Sequence, residues 1–160
     1  MSALITVGLI VGIPFLLSVL FRVSAAMLFL SIAIGSLLVK YFGYDFSLVI
    51  SSFGQIKQTE VVSNLSLQFL PVGLTIFFLR KSVPASKFIF HLVPLALSCG
   101  ALGVLSLPLL SDGTEAAFKL TSIGSKVEPM SDLIVGAACI TVLAVAWLIR
   151  STPHHGKKHH

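Results

Sequence analysis

The first 42 residues carry no charge except Arg22 and Lys40, and Leu, Ile, Val, Phe and Ala dominate the rest. As one helix they would extend about 63 Å at 1.5 Å per residue, roughly twice the thickness of bilayer hydrocarbon. The chain must therefore turn back within this stretch. Arg22 seeks water, and Ser24 beside it can cap a new helix by accepting a backbone N–H. The expected outcome is a tight hairpin of two membrane-spanning helices, 3–21 and 24–42. Met1–Phe21 lacks the basic start of a secretory signal and runs at once into a second apolar segment, so it reads as the first membrane helix.

The same arithmetic applies to the rest of the chain. A span needs about 20 predominantly apolar residues, and further stretches of that kind occur at 61–79, 87–110 and 131–149. Arg80 and Lys81 stop the third span, Pro84 breaks the chain before the fourth, and Trp147 and Arg150 close the fifth. Residues are 56% apolar and 11% charged, against about a quarter charged in a soluble domain, which leaves little chain for a soluble unit. The reading is an all-α membrane protein: one five-helix transmembrane domain over 1–150 and a basic, His-rich tail over 151–160.

Tyr41, Gly43, Tyr44 and Asp45 mark an exit from the second span. Phe46, Val49, Ile50, Phe53 and Ile56 then recur at helical spacing among serines, Gln55 and Lys57. This predicts a short amphipathic helix in the membrane interface; a loop docked on the other helices fits the pattern equally well. Residues 111–129 read as a polar connection.

Charge sets the orientation. Arg22, Arg80, Lys81, Lys87, Arg150, Lys157 and Lys158 share one side, and Lys40, Lys57, Lys119 and Lys126 the other. The richer side is expected in the cytoplasm, which puts the N-terminus outside and the tail inside. All six acids (Asp45, Glu60, Asp112, Glu115, Glu128 and Asp132) fall on the second side; a missed span would scramble that segregation. The net charge of +5 therefore reads as anchors at span ends, with Arg22, Arg80, Lys81, Lys87 and Arg150 foremost, and nucleic-acid binding is not expected. A bacterial inner membrane fits an N-terminus without transit-peptide character.

The membrane interior contains no Asp or Glu. Carboxylates are the usual carriers in proton- and sodium-coupled transport, so ion coupling is disfavoured. The remaining intramembrane polar groups are few. Asn64, Gln68 and Thr75 flank Pro71 in the third span, where proline leaves the carbonyl of Leu67 without its helical donor. They either bind neighbouring helices or line a solute path at a kink. His91 sits one turn inside the fourth span, as an interfacial histidine or as part of an opening. Pro94 and Pro108, with Gly100 and Gly103 between them, make that helix a candidate for bending.

Small residues recur at the spacing that lets membrane helices approach closely. Gly8 and Gly12 form such a pair in the first span, Ala96 with Gly100 and Cys99 with Gly103 repeat it in the fourth, and Ala33, Gly35, Gly136, Ala137 and Ala144 add to it. Cys99 and Cys139 lie in apolar runs and read as small packing residues. Ser98 and the two cysteines have no His or acid one helical turn away, so no nucleophile has a base and no enzyme is expected. The histidines of the tail suit a basic segment beside anionic headgroups better than a metal site; no metal or cofactor is expected.

The opening hairpin with its basic turn resembles that of the colicin V production family of small bacterial membrane proteins. That family's turn is rich in Gly and Arg, whereas Phe21, Arg22, Val23 and Ser24 include no glycine, and the fifth span departs further. The likeness rests on hydropathy, and no family residue is carried over.

The function expected from these readings is a non-enzymatic membrane subunit, structural or channel-like, that assembles with copies of itself or with other membrane proteins in the bilayer. The alternative is a small transporter or channel for a neutral or anionic solute.

Overall fold

A computed structural model describes residues 3–52 and 58–150. Every regular element among them is helical, and five helices are long and apolar enough to cross a membrane. In chain order the α-helices are α1 (Ala3–Phe21), α2 (Ala25–Ser52), α3 (Thr59–Phe78), α4 (Leu92–Ser106), α5 (Asp112–Lys119), α6 (Gly124–Val127) and α7 (Ser131–Arg150). Short 3-10 segments at Ala85–His91, Leu107–Leu109 and Glu128–Met130 join them.

The hairpin turn falls where Arg22 places it, and its closure is specific. The N–H of Arg22 donates to Val19 O at 3.2 Å and that of Val23 to Ser18 O at 3.0 Å, which satisfies two of the carbonyls a helix end leaves open. Arg22 itself takes φ 52°, a left-handed conformation in which glycine is usual. The turn after α3 repeats the device with Lys81 at φ 58°. The two turns are joined: Lys81 N–H donates to Phe21 O at 2.7 Å, Val83 N–H to Arg22 O at 3.3 Å, and Ser24 N–H to the Ser82 hydroxyl at 2.9 Å. The Arg80 guanidinium lies 4.7 Å from the Phe21 ring centre and 4.5 Å from that of Phe77, a cation–π contact tying the ends of α1 and α3. Arg22, Arg80 and Lys81 thus gather at one end of the bundle.

At the other end, α5 packs against α1, and Glu60 lines one cavity with Leu110 and Ser111. Residues 111–129, expected as a polar connection, are largely helical. Phe118 is buried in this cap, and Lys119 Nζ lies 3.0 Å from both Glu115 and Glu128.

Three expectations about span limits change. First, α2 runs through Tyr41, Gly43, Tyr44 and Asp45 without a break. Gly43 is buried against Asn64 of α3, and the hydroxyls of Ser47, Ser51 and Ser52 donate to carbonyls three residues earlier, at 2.7, 2.8 and 2.6 Å. Serine polarity is thereby met inside the helix, which continues for 28 residues, about 42 Å. The first half of the expected interfacial helix is therefore the end of α2; Phe53–Lys57 lies outside the described residues, as does the tail from Ser151.

Second, the fourth span is a composite of 3-10, α and 3-10 segments. Pro94 falls in the first turn of α4, where a missing N–H costs nothing, and Pro108 falls in the 3-10 segment after it. These prolines bound α4, with Gly100 and Gly103 inside a regular helix. Third, α3 begins at Thr59, earlier than expected, behind Gln58 at φ 65°.

α2 and α4 form the centre. α2 packs on α3, α4 and α7, and α4 packs on α1, α2 and α7. Their shared core includes Leu28, Ile32, Val72, Leu95, Cys99, Leu102 and Val142. α1 and α7 bury least of their surface within the chain, leaving broad apolar faces suited to lipid or to other helices.

Candidate functional site

α3 carries Ser63, Asn64 and Gln68 against α2. Glycine makes the approach close enough: a Cβ on Gly35 would lie 2.5 Å from the Gln68 carbonyl oxygen, and one on Gly43 2.6 Å from Asn64 Oδ1. Gln68 is almost wholly buried, and its Nε2 donates to Ile32 O at 3.4 Å; Ser63 donates to Gly43 O at 3.5 Å. Both bonds are long, so close packing and burial decide this contact more than hydrogen bonding does. Pro71 and Thr75, farther along α3, are half-buried.

Asn64 also lines a cavity of about 320 Å³ with Gln58, Glu60, Val61 and residues 108–111, at the end of the bundle away from the basic turns. Its Oδ1 has no hydrogen-bond partner among the described residues. His91 lies elsewhere. It is 4% exposed and lines a smaller cavity of about 160 Å³ with Ser24, Ala25, Ala26, Val142, Val145 and Ala146. Its Nδ1 also lacks a partner among the described residues. The candidate path residues are therefore not gathered at one point. Asn64 and His91 sit in separate cavities, and Gln68, in the α2–α3 contact, lines neither.

The small residues divide into two sets. Gly35, Gly43 and Gly103 are packed within the chain, Gly103 so tightly that a Cβ would collide with Val11 of α1. Gly100 faces Ile134 of α7, 3.8 Å from where its Cβ would be. By contrast, a Cβ on Gly8, Gly12, Gly73 or Gly136 would meet nothing within 4 Å, and Ala96 is exposed. Gly8 and Gly100 line an apolar groove of about 280 Å³ between α1, α4 and the α5–α6 cap.

No family model, curated protein or solved structure matches the chain. Cys99 is buried and Cys139 half-buried, both as free thiols, and the Ser98 hydroxyl donates back to Pro94 O at 2.7 Å. Among the described residues no cluster of His, Cys, Asp and Glu could hold a metal ion. The anchors Lys87 and Arg150 lie in the 3-10 segment before α4 and at the end of α7.

Two features escaped sequence reasoning. Gly43 reads as a helix exit because it stands between tyrosines, yet it is a packing position facing Asn64. The pairing of His91 with the start of α2 joins residues more than sixty positions apart, and only Ser24 as a cap hinted at it.

Proposed function

We propose that the chain is a non-enzymatic, multi-pass membrane subunit that assembles with copies of itself or with other membrane proteins, as a structural or channel-like component. One observation carries this reading: at glycines on three spans, Gly8 and Gly12 in α1, Gly73 in α3 and Gly136 in α7, a Cβ would meet nothing within 4 Å. Small residues in membrane helices let another backbone approach, and no neighbouring helix among the described residues comes within 4 Å of a Cβ at these positions. The segregation of charge supports an outside N-terminus, a cytoplasmic C-terminus and an inner-membrane location. The last turns of α2 are then at the outer interface, where a helix of about 42 Å must end.

The test is native mass spectrometry of the protein extracted in mild detergent, with Gly8→Leu, Gly12→Leu and Gly136→Leu as variants. Oligomers or hetero-complexes are expected from the parent, and the variants should release free chains at unchanged melting temperature. A lone monomer in both detergent and nanodiscs removes the reading.

A second reading, a transporter or channel for a neutral or anionic solute, rests on the unpartnered groups of Asn64 and His91 in cavities near opposite ends of the bundle. Flux into liposomes that falls with Asn64→Ala and His91→Ala supports it; flux equal to that of empty liposomes removes it.

A further inference from the structure

The cavity at His91 has a feature that neither helix packing nor a solute path explains. Its floor is the first turn of α2, a helix of 28 residues. The opening N–H groups of a helix have no intrahelical acceptor, and the aligned peptide dipoles make this end positive. Ser24 N–H is used by Ser82; Ala25 and Ala26, which open the helix, line the cavity. His91 lines the same cavity, 96% buried by its 4% exposure. Its Nδ1 is buried and has no hydrogen-bond partner among the described residues. In the tautomer that carries its proton on Nδ1 this atom is a donor, and a buried donor without an acceptor is costly.

The rest of the lining, Val142, Val145 and Ala146 of α7, brings no carboxylate. Of the six acids, Asp45 is 20 residues along α2 from Ala25, Glu60 and Asp132 stand at the far starts of α3 and α7, Asp112 opens α5, and Glu115 and Glu128 belong to the cap at that far end. The basic turns bearing Arg22 and Lys81 adjoin Ser24 through the bonds to Ser82 and Arg22. A helix start, a buried donor and a basic surround without acids make a site for an anion.

We propose that this cavity binds a phosphate group, with the α2 amides and the His91 ring N–H as donors. The phosphate belongs either to a membrane lipid headgroup, since the site lies at the end of the spans, or to free phosphate; the chemistry of recognition is shared. The site is independent of whether the chain assembles.

The test uses the full chain in mild detergent. Native mass spectrometry follows binding of phosphatidylglycerol, with diacylglycerol as the phosphate-free control, and calorimetry follows inorganic phosphate. One phosphatidylglycerol per chain is expected, weakened about tenfold or more by His91→Leu and lost in Ala146→Leu, which fills the cavity from an exposed position on α7. Circular dichroism and size exclusion check that each variant keeps its fold, and if His91→Leu does not, Ala146→Leu decides. Binding of inorganic phosphate as well, with the same sensitivity, identifies the phosphate itself as the ligand; lipid binding alone identifies the headgroup. Binding of neither, equal binding of diacylglycerol, or binding unchanged in the folded variants overturns the proposal, the last because the basic turns would then suffice.

Discussion

The carbonyl oxygen of Gln68 lies over the bare Cα of Gly35, 2.5 Å from where a Cβ would stand. The obstacle is helix backbone, which cannot swing aside as a side chain can. Gly35→Ala is expected to push α2 from α3 and to lower stability by about 1–3 kcal/mol. Gly73→Ala, where the space is open, should stay within about 0.5 kcal/mol of the parent. Reversible unfolding in mixed micelles measures both; equal effects would show that the α2–α3 approach is looser than described.

Gly103 and Val11 hold α4 to α1 in the same way, but here the obstacle is a side chain. Gly103→Ala alone should destabilise by about 1–3 kcal/mol. Val11→Ala in the same molecule should recover part of that loss, because it removes the Cγ2 that blocks the new methyl. Residues in contact are not additive, so a double-mutant cycle whose energies simply sum would contradict the contact.

Gln68 offers a way to separate packing from passage. Its hydrogen bond to Ile32 is long at 3.4 Å, and bonds of this kind between membrane helices are worth about 0.6 kcal/mol on average. Gln68→Leu should therefore change stability by less than about 1.5 kcal/mol, whereas Gln68→Ala, which leaves a void, should cost about 2 kcal/mol or more. The assembly reading expects normal oligomers from Gln68→Leu; loss of solute flux with an unchanged oligomer would favour the transporter instead.

Lys119 is exposed and clasped by Glu115 and then Glu128, whose hydrogen bonds and charges raise its pKa above the ordinary lysine value. A raised folded-state pKa stabilises fully below the unfolded value of about 10.4 and loses that effect as pH rises through the folded value. Lys119→Gln should thus increase proteolytic cutting between α5 and α6 by the same factor at pH 7 and pH 9. The difference should shrink in high salt, which screens exposed pairs. A cleavage rate independent of salt would mean that the clasp does not hold the cap.

Sequence alone determined the number of spans and their approximate places. Each span must bond its own backbone in hydrocarbon, so length and apolarity are local quantities, and 3–21 and 131–149 agree closely with α1 and α7. Charge determined which ends belong together, because Arg22, Arg80 and Lys81 had to reach water, and the bonds between their two turns join them at one end. Tertiary structure decided what depends on partners distant in the chain. Gly8 and Gly35 look alike in sequence, yet one meets open space and the other the backbone of α3. The polar run after Tyr41 looks like an exit, yet a facing helix and self-bonded serines carry α2 on to Ser52. His91 looks like a common interfacial residue until folding sets it in one cavity with the start of α2, its Nδ1 without a partner among the described residues. Hydropathy records whether a residue prefers lipid to water; which neighbour it meets is settled only when the helices pack.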